Sequence, residues 1–446
     1  MSVLEERGLF WWHGEPISDK HFAPEASVLG LLRIDDDGVA TLELDGDLPN
    51  NEGPFGVISR NPKVLKGRLI EGLLSTSGKH ILLIELQRYR GSFSSNNLSH
   101  GGYRSTHCLV GYLYFPELGE RSLFTSLEVD LTGFEEWLWL NSIETAATEN
   151  SVSVEYRKPV SMVYVVDEGT ITIEYDIAGA GTGRWSDHSL SLTEKAVLIY
   201  TSKTNLTLEQ MQIKFRTLED LFIIITNSDY HLSWPKIALQ VGEEVIWFKW
   251  YSFRKKTYAE APRAHECLIS FTKLTNNFGN VVSMWMKKRE RLGPGFYLYL
   301  GTRRGVELYI ENRFVTLITG LEALHRRTRI DEEGRKIKER IARIVACVND
   351  TKDKIWLAKR LKNAHEPNLE QRLFDLFTSV DLGIETTALR AFAAHCAKIR
   401  NDLSHFGEQR SGSDYSTFIR GVANKNEAVS IIYHMIICTK SVLMIT

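Results

Sequence analysis

Apolar and polar residues follow two different periods along this chain, and the change falls near residue 305. Before it, the apolar runs are short and alternating. Residues 31–34 and 39–44 flank Asp35-Asp36-Asp37-Gly38, whose Asp-Gly pair signals a hairpin turn between two strands. Runs at 69–74, 80–86 and 109–115 follow, separated by polar, Gly- and Ser-rich stretches such as 91–102. Val152, Val154 and Tyr156 alternate with polar residues, as do Ile171, Ile173, Tyr175 and Ile177, which predicts further strands. Thr207-Leu208-Glu209-Gln210 has the spacing of a capping box and opens an amphipathic helix through Phe215 and Leu221. Strand-like text then resumes to about Leu300.

After residue 305 the period becomes helical. Phe314, Leu317, Ile318, Leu321 and Leu324 fall on one helix face. A basic segment follows, with 13 Lys/Arg against 6 Asp/Glu over 326–362. Asn368 is placed to cap a helix carrying Leu373, Leu376 and Phe377. Leu389, Phe392, Cys396, Ile399 and Leu403 step by three and four, the seam of a helix packed in a bundle, and Gly407 stops it. A last helix carries Val429, Ile432, Tyr433, Ile436 and Leu443. The prediction is a multidomain α+β protein: a β-rich region in two subdomains, 1–150 and 151–305, then an all-α bundle of about five helices over 306–446 with its two ends packed together.

Composition sharpens this division. The 446 residues hold 54 Lys/Arg and 56 Asp/Glu, so no overall basic character points to nucleic acid. Residues 306–446 nevertheless carry 22 Lys/Arg against 18 Asp/Glu, while nine of the ten tryptophans lie before them, among them the Trp11/Trp12 and Trp137/Trp139 pairs, read as core of the β region. Five widely spaced cysteines without a C-x-x-C pair read as reduced thiols of a cytoplasmic protein. The N-terminus has no signal-peptide core, and the most apolar stretch, 429–445, is interrupted by His434 and Lys440, so no membrane span is expected.

The strongest chemical signal is Arg400-Asn401-Asp402-Leu403-Ser404-His405, an arginine and a histidine separated by four residues late in the helical region. It resembles the R-x4–6-H signature of HEPN domains, helical bundles rich in metal-independent ribonucleases. Gly8-Leu9-Phe10-Trp11-Trp12, Val28-Leu29-Gly30 and the Phe134-Glu135-Glu136-Trp137-Leu138-Trp139 segment resemble the ApeA N-terminal domain, as does the 206–225 stretch. The resemblance implies an ApeA-like protein of abortive anti-phage defence with a C-terminal HEPN domain. It further implies RNA, and tRNA in particular, as substrate, a homodimer through the HEPN domain, and a phage-derived trigger acting on the N-terminal region.

The residues fit that chemistry in their own right. RNA carries its own nucleophile in the 2′-hydroxyl, so cleavage needs a general base, a general acid and charge stabilisation, with no cofactor or metal. His405, with a reference pKa of about 6.5, exchanges protons near neutrality. Arg400 can hold a phosphate bidentately as its charge grows. Asn401 is positioned to bond the phosphate or orient Arg400. Five residues of regular helix set Arg400 and His405 about 140° apart, which favours two protomers packing their motifs into one cleft. Arg326, Arg327 and Arg329 are the candidates for RNA phosphate contact, and His395 reads as structural. The alternative is a HEPN module that grips RNA or a partner without turnover. Gly179-Ala180-Gly181-Thr182-Gly183 lacks dinucleotide-binding spacing, and the thirteen histidines show no zinc pattern.

Overall fold

The computed structural model of the protein describes residues 2–17, 22–49, 63–65, 67–94, 97–112, 122–140, 142–178, 192–255, 257–304, 308–328, 332–405 and 415–441. The chain divides into two compact units, Met1–Gly279 and Asn280–Thr446.

In the first unit the strands are β1 (Ser2–Trp12), β2 (Val28–Asp35), β3 (Ala40–Leu44), β4 (Lys63–Leu65), β5 (Ile70–Leu74), β6 (His80–Ser94), β7 (Asn97–Gly111) and β8 (Phe124–Asp130). They continue as β9 (Ile143–Thr148), β10 (Ser151–Tyr156), β11 (Met162–Val166), β12 (Gly169–Ala178), β13 (Thr193–Leu206), β14 (Lys236–Val241) and β15 (Glu244–Ser252). The Asp-Gly hairpin forms as expected: β2 pairs antiparallel with β3, and the Gly38 N–H donates to the Asp35 carbonyl at 2.9 Å. Gly38 has φ +81°, and a Cβ there would lie 2.3 Å from the Ser252 carbonyl oxygen, so the turn requires glycine twice over.

The order β7-β3-β2-β1-β5-β6 closes on itself through the β6–β7 pairing, which makes a small antiparallel barrel. Alternate residues point inward, and Phe10, Leu32, Ile34, Leu42, Ile70, Ile81 and Leu83 fill it. The far end of β7 pairs with β15, so the sheet continues beyond the barrel as β15-β14-β8-β13-β12-β11. That sheet takes β8 between β13 and β14, so it draws strands from both sides of the subdomain boundary expected at 150/151.

Helix α1 (Glu135–Leu138) and helix α2 (Leu208–Thr226) belong to this unit. Both halves of the Thr207/Gln210 capping box are present. Trp137 is fully buried against Phe222, Phe271 and Phe278, and its indole N–H donates to the Ile269 carbonyl at 2.8 Å. Trp11 is also core, whereas Trp139 is 52% exposed in a left-handed conformation, so the core reading fails for that tryptophan.

The strand-like reading up to about Leu300 holds through β14 and β15 and fails beyond them. After β15 come helix α3 (Phe271–Leu274) and helix α4 (Phe278–Gly301). The Val281, Val282, Trp285, Phe296 and Tyr299 side chains favour strands intrinsically, but burial decides here. A break at Gly293 (φ +60°) ahead of Pro294 ends the first stretch of α4, along which Phe278, Val281, Val282 and Trp285 step by three and four on one buried face.

The remaining helices are α5 (Ile310–Thr328), α6 (Glu332–Ala346), α7 (Thr351–Leu361), α8 (Leu369–Phe377), α9 (Thr386–His405) and α10 (Tyr415–Ser441). Every apolar residue of the predicted α5 stripe is fully buried, and Asn368 caps α8 through its side-chain oxygen and the Gln371 N–H at 2.8 Å. Leu389, Cys396 and Ile399 are buried along the α9 seam, and Phe392 packs on Phe377. The expected joining of first and last helices is present: the Asn426 amide donates to the Ile310 carbonyl at 2.8 Å. Leu443 and Gly407 lie outside the described residues. The basic segment after α5 forms the two helices α6 and α7, giving more helices than the five expected.

Candidate functional site

Helix α9 continues through His405, so Arg400 and His405 stand on one regular helix with their positions about 140° apart around its axis. Asn401 is exposed and its side-chain oxygen accepts from Arg400 Nη1 at 3.1 Å. The His405 side chain lies outside the described residues.

Arg400 does not stand alone. Its Nη2 lies 3.5 Å from Glu322 on α5, which is a long and loosely held ion pair. The other Glu322 oxygen meets Arg326, one turn later on the same helix, at 3.1 Å. Arg326 also reaches Glu366 at 3.0 Å, and Glu366 in turn meets Arg372 of α8 at 2.6 Å. Three arginines and two carboxylates thus alternate from α9 across α5 to the N-terminal end of α8. Arg372 is 4% exposed and also donates to the Pro367 carbonyl, which fixes the far end of the chain of charges. Exposure is greatest in the middle of the network, at Arg326 (53%); the Arg400 and Glu322 side chains are 24% and 20% exposed, and Arg400 Nε is buried without a hydrogen-bond partner among the described residues.

The predicted RNA-contacting arginines have different surroundings from those expected. Arg326 is joined to Arg400 through Glu322, so it belongs to the same cluster. Arg327 is occupied elsewhere: its guanidinium donates to the carbonyls of Arg291 and Glu290 at 2.9 and 3.3 Å, which are freed where α4 breaks at Gly293. It acts there as a C-cap. Arg329 lies outside the described residues. His395 is exposed on α9 rather than packed in the core. Partial burial, with Lys425 and Lys398 nearby, holds its pKa below the ordinary histidine value.

Sequence reading passed over Glu322, Glu366 and Arg372. Only the Glu322/Arg326 spacing of four carried a local signal. It also missed a buried His325 on α5, whose Nε2 lies 3.0 Å from Asp375 of α8, with Gln371 donating to the other Asp375 oxygen at 2.6 Å. Among the described residues no group of three or more His, Cys, Asp or Glu side chains is arranged to hold a metal ion, and no helix is long and apolar enough to cross a membrane.

Two family models match the chain. ApeA N-terminal domain 1 covers residues 5–285, and Apea-like HEPN covers 315–433, a span that contains Arg400, Asn401 and His405. No curated protein and no solved structure matches. With its first match spanning more than half the sequence, the chain belongs to the ApeA family, an ApeA N-terminal domain followed by an Apea-like HEPN domain.

Proposed function

We propose that this protein is a metal-independent HEPN endoribonuclease of abortive anti-phage defence that cuts tRNA at the C-terminal end of α9. The observation that carries this reading is Arg400 at the α9 end of an ion network, partly exposed and held by one long ion pair, inside the matched HEPN span and on the same helix as His405. A deeply buried arginine would be committed to the fold. Arg400 is anchored on one side by a single long contact, and a phosphate with two acceptor oxygens can compete with Glu322 for it. Asn401 holds the other arm of the guanidinium, restricting the fork before substrate arrives.

In this mechanism an imidazole at position 405 takes the proton from the 2′-hydroxyl or delivers one to the departing 5′-oxygen. Arg400 stabilises the pentavalent phosphorane as negative charge accumulates. The products are a 2′,3′-cyclic phosphate and a 5′-hydroxyl. Two copies related by a twofold axis supply two motifs to one cleft, which relieves the 140° separation within a single helix. The N-terminal domain restrains the nuclease and responds to a phage-derived trigger, since an unrestrained ribonuclease would harm its host.

End chemistry tests this reaction. Bulk tRNA is incubated with the protein in EDTA, alone and with phage lysate. Products are then treated with polynucleotide kinase and labelled ATP, without prior phosphatase. Discrete 3′ fragments that accept label directly carry new 5′-hydroxyls and agree with the proposal; 3′ fragments bearing 5′-phosphates contradict it. The second reading, a HEPN module that binds RNA without turnover, is favoured by the Arg400–Glu322 pair, which gives the arginine a place in the fold's own ion network. It predicts bound, uncut tRNA under every condition.

A further inference from the structure

The cations of α6 and α7 are placed quite differently from those of α5, α8 and α9. Over 332–362 the chain holds ten Lys/Arg against five Asp/Glu. No residue of α7 is buried. On α7, Lys352, Trp356, Lys359 and Arg360 lie within about 100° of arc, so they share one face. Trp356 is 59% exposed, and Arg360 sits over its ring with the guanidinium carbon 5.9 Å from the ring centre. Lys352, Lys359 and Arg360 form no ion pair among the described residues. Of the neighbouring carboxylates, Asp350 is the α7 N-cap and accepts from the Asp353 N–H at 2.9 Å; Asp353 borders the face on the Arg360 side.

An exposed indole beside three cations without carboxylate partners among the described residues offers a stacking face and positive charge together. We infer that this face of α7 is an RNA-binding surface, on which Trp356 stacks against an unpaired base while Lys352, Lys359 and Arg360 contact the phosphates on either side. The ligand class follows from the geometry. A single strand or a loop offers a base face and adjacent phosphates together, whereas a duplex hides its base faces in the stack. A protein partner fits less well, because a cluster of three cations around the ring needs a matching run of carboxylates. The inference rests on the proposed RNA substrate and replaces Arg327 as the place where substrate is gripped away from the motif. It also narrows the substrate to RNA with an unpaired loop.

The test uses full-length protein in a His405→Ala background, so that RNA stays intact, with a labelled stem-loop RNA and a fully paired duplex of matching length. Trp356→Ala is expected to weaken loop binding about tenfold and duplex binding far less. A Lys352→Gln/Lys359→Gln/Arg360→Gln variant is expected to lower the slope of log K against log salt by about 2, three phosphates' worth for a single strand. Circular dichroism and light scattering accompany each variant, since the substituted side chains are exposed and should leave fold and mass unchanged. If the parent binds loop RNA and the variants bind it equally well, this surface is wrong while the RNA reading stands. Equal losses on loop and duplex for Trp356→Ala overturn base stacking. If the parent binds neither RNA, the RNA reading falls and this inference with it. A variant that changes the assembly's mass instead makes α7 a contact between copies, and also overturns the inference.

Discussion

The arginines around α5 and the cations of α7 belong to one helical unit, yet their circumstances are opposite. Arg326, Arg372 and Arg400 each meet a carboxylate, and Arg327 closes off two backbone carbonyls. Lys352, Lys359 and Arg360 have water and an exposed indole instead. The difference teaches that local density of positive charge says little about where an anion binds. What matters is which cations the fold has already neutralised. Arg400 lies between the two cases, held by Asn401 and a long ion pair yet still 24% exposed, which suits a group that must hold a phosphate without being free to wander.

The comparison can be broken first at the core. Phe314 is fully buried on α5 and Ile355 is 64% exposed on α7. Phe314→Ala is expected to cost about 3–5 kcal/mol in urea unfolding, with Ile355→Ala within about 0.5 kcal/mol. Comparable losses at both would mean that α7 is packed against something in solution. A smaller effect is expected at the buried end of the ion network. Arg372→Met removes a charge-assisted bond to Glu366 and another to Pro367, a loss of about 2 kcal/mol. Arg326→Gln, more than half exposed, should cost less than about 1 kcal/mol. A larger cost for Arg326 would show that the network is cooperative from end to end.

Glu322→Gln sharpens the contrast at Arg400. It leaves stability within about 1 kcal/mol, because both of its ion pairs are partly solvated. It should also tighten RNA binding a few-fold by removing a negative charge that competes with phosphate. Unchanged or weaker RNA binding would mark Glu322 as a group that positions Arg400 for substrate. The smallest effects concern the thiols. Burial pushes Cys396 and Cys438 up to about 12 each, above their ordinary value of 9.0. Their protonated forms are favoured in the fold, so the stability they contribute is complete below pH 9.0 and is lost as pH rises toward 12. At pH 8 a thiol reagent should modify exposed Cys347 and spare those two until urea is added. Early modification of Cys396 would show α9 opening locally.

The helical core was legible because its signal is local and periodic: the α5 stripe, the Asn368 cap and the α9 seam each need only neighbours within a few residues. The Asp-Gly hairpin and the Thr207 capping box were legible for the same reason. Helix α4 was misread although Phe278, Val281, Val282 and Trp285 carry a helical step, because its aromatic, β-branched composition favours the wrong element until tertiary burial overrides it. The Arg400-Asn401-His405 motif is contiguous and stood out at once. Its surroundings did not, because Glu322 lies 78 positions away and only the packing of α9 on α5 brings it within reach. The same reasoning explains Arg327: nothing in a run of arginines reveals that two carbonyls will be released opposite one of them.

The most direct test of the site compares wild type, Arg400→Ala and His405→Ala in single-turnover cleavage of tRNA in EDTA, with any phage-derived activation held constant and thermal melts run in parallel. The account predicts discrete cutting by wild type, and losses of at least about a hundredfold in both variants without a change in melting. Cutting by His405→Ala at the wild-type rate would contradict it and move the chemistry away from α9.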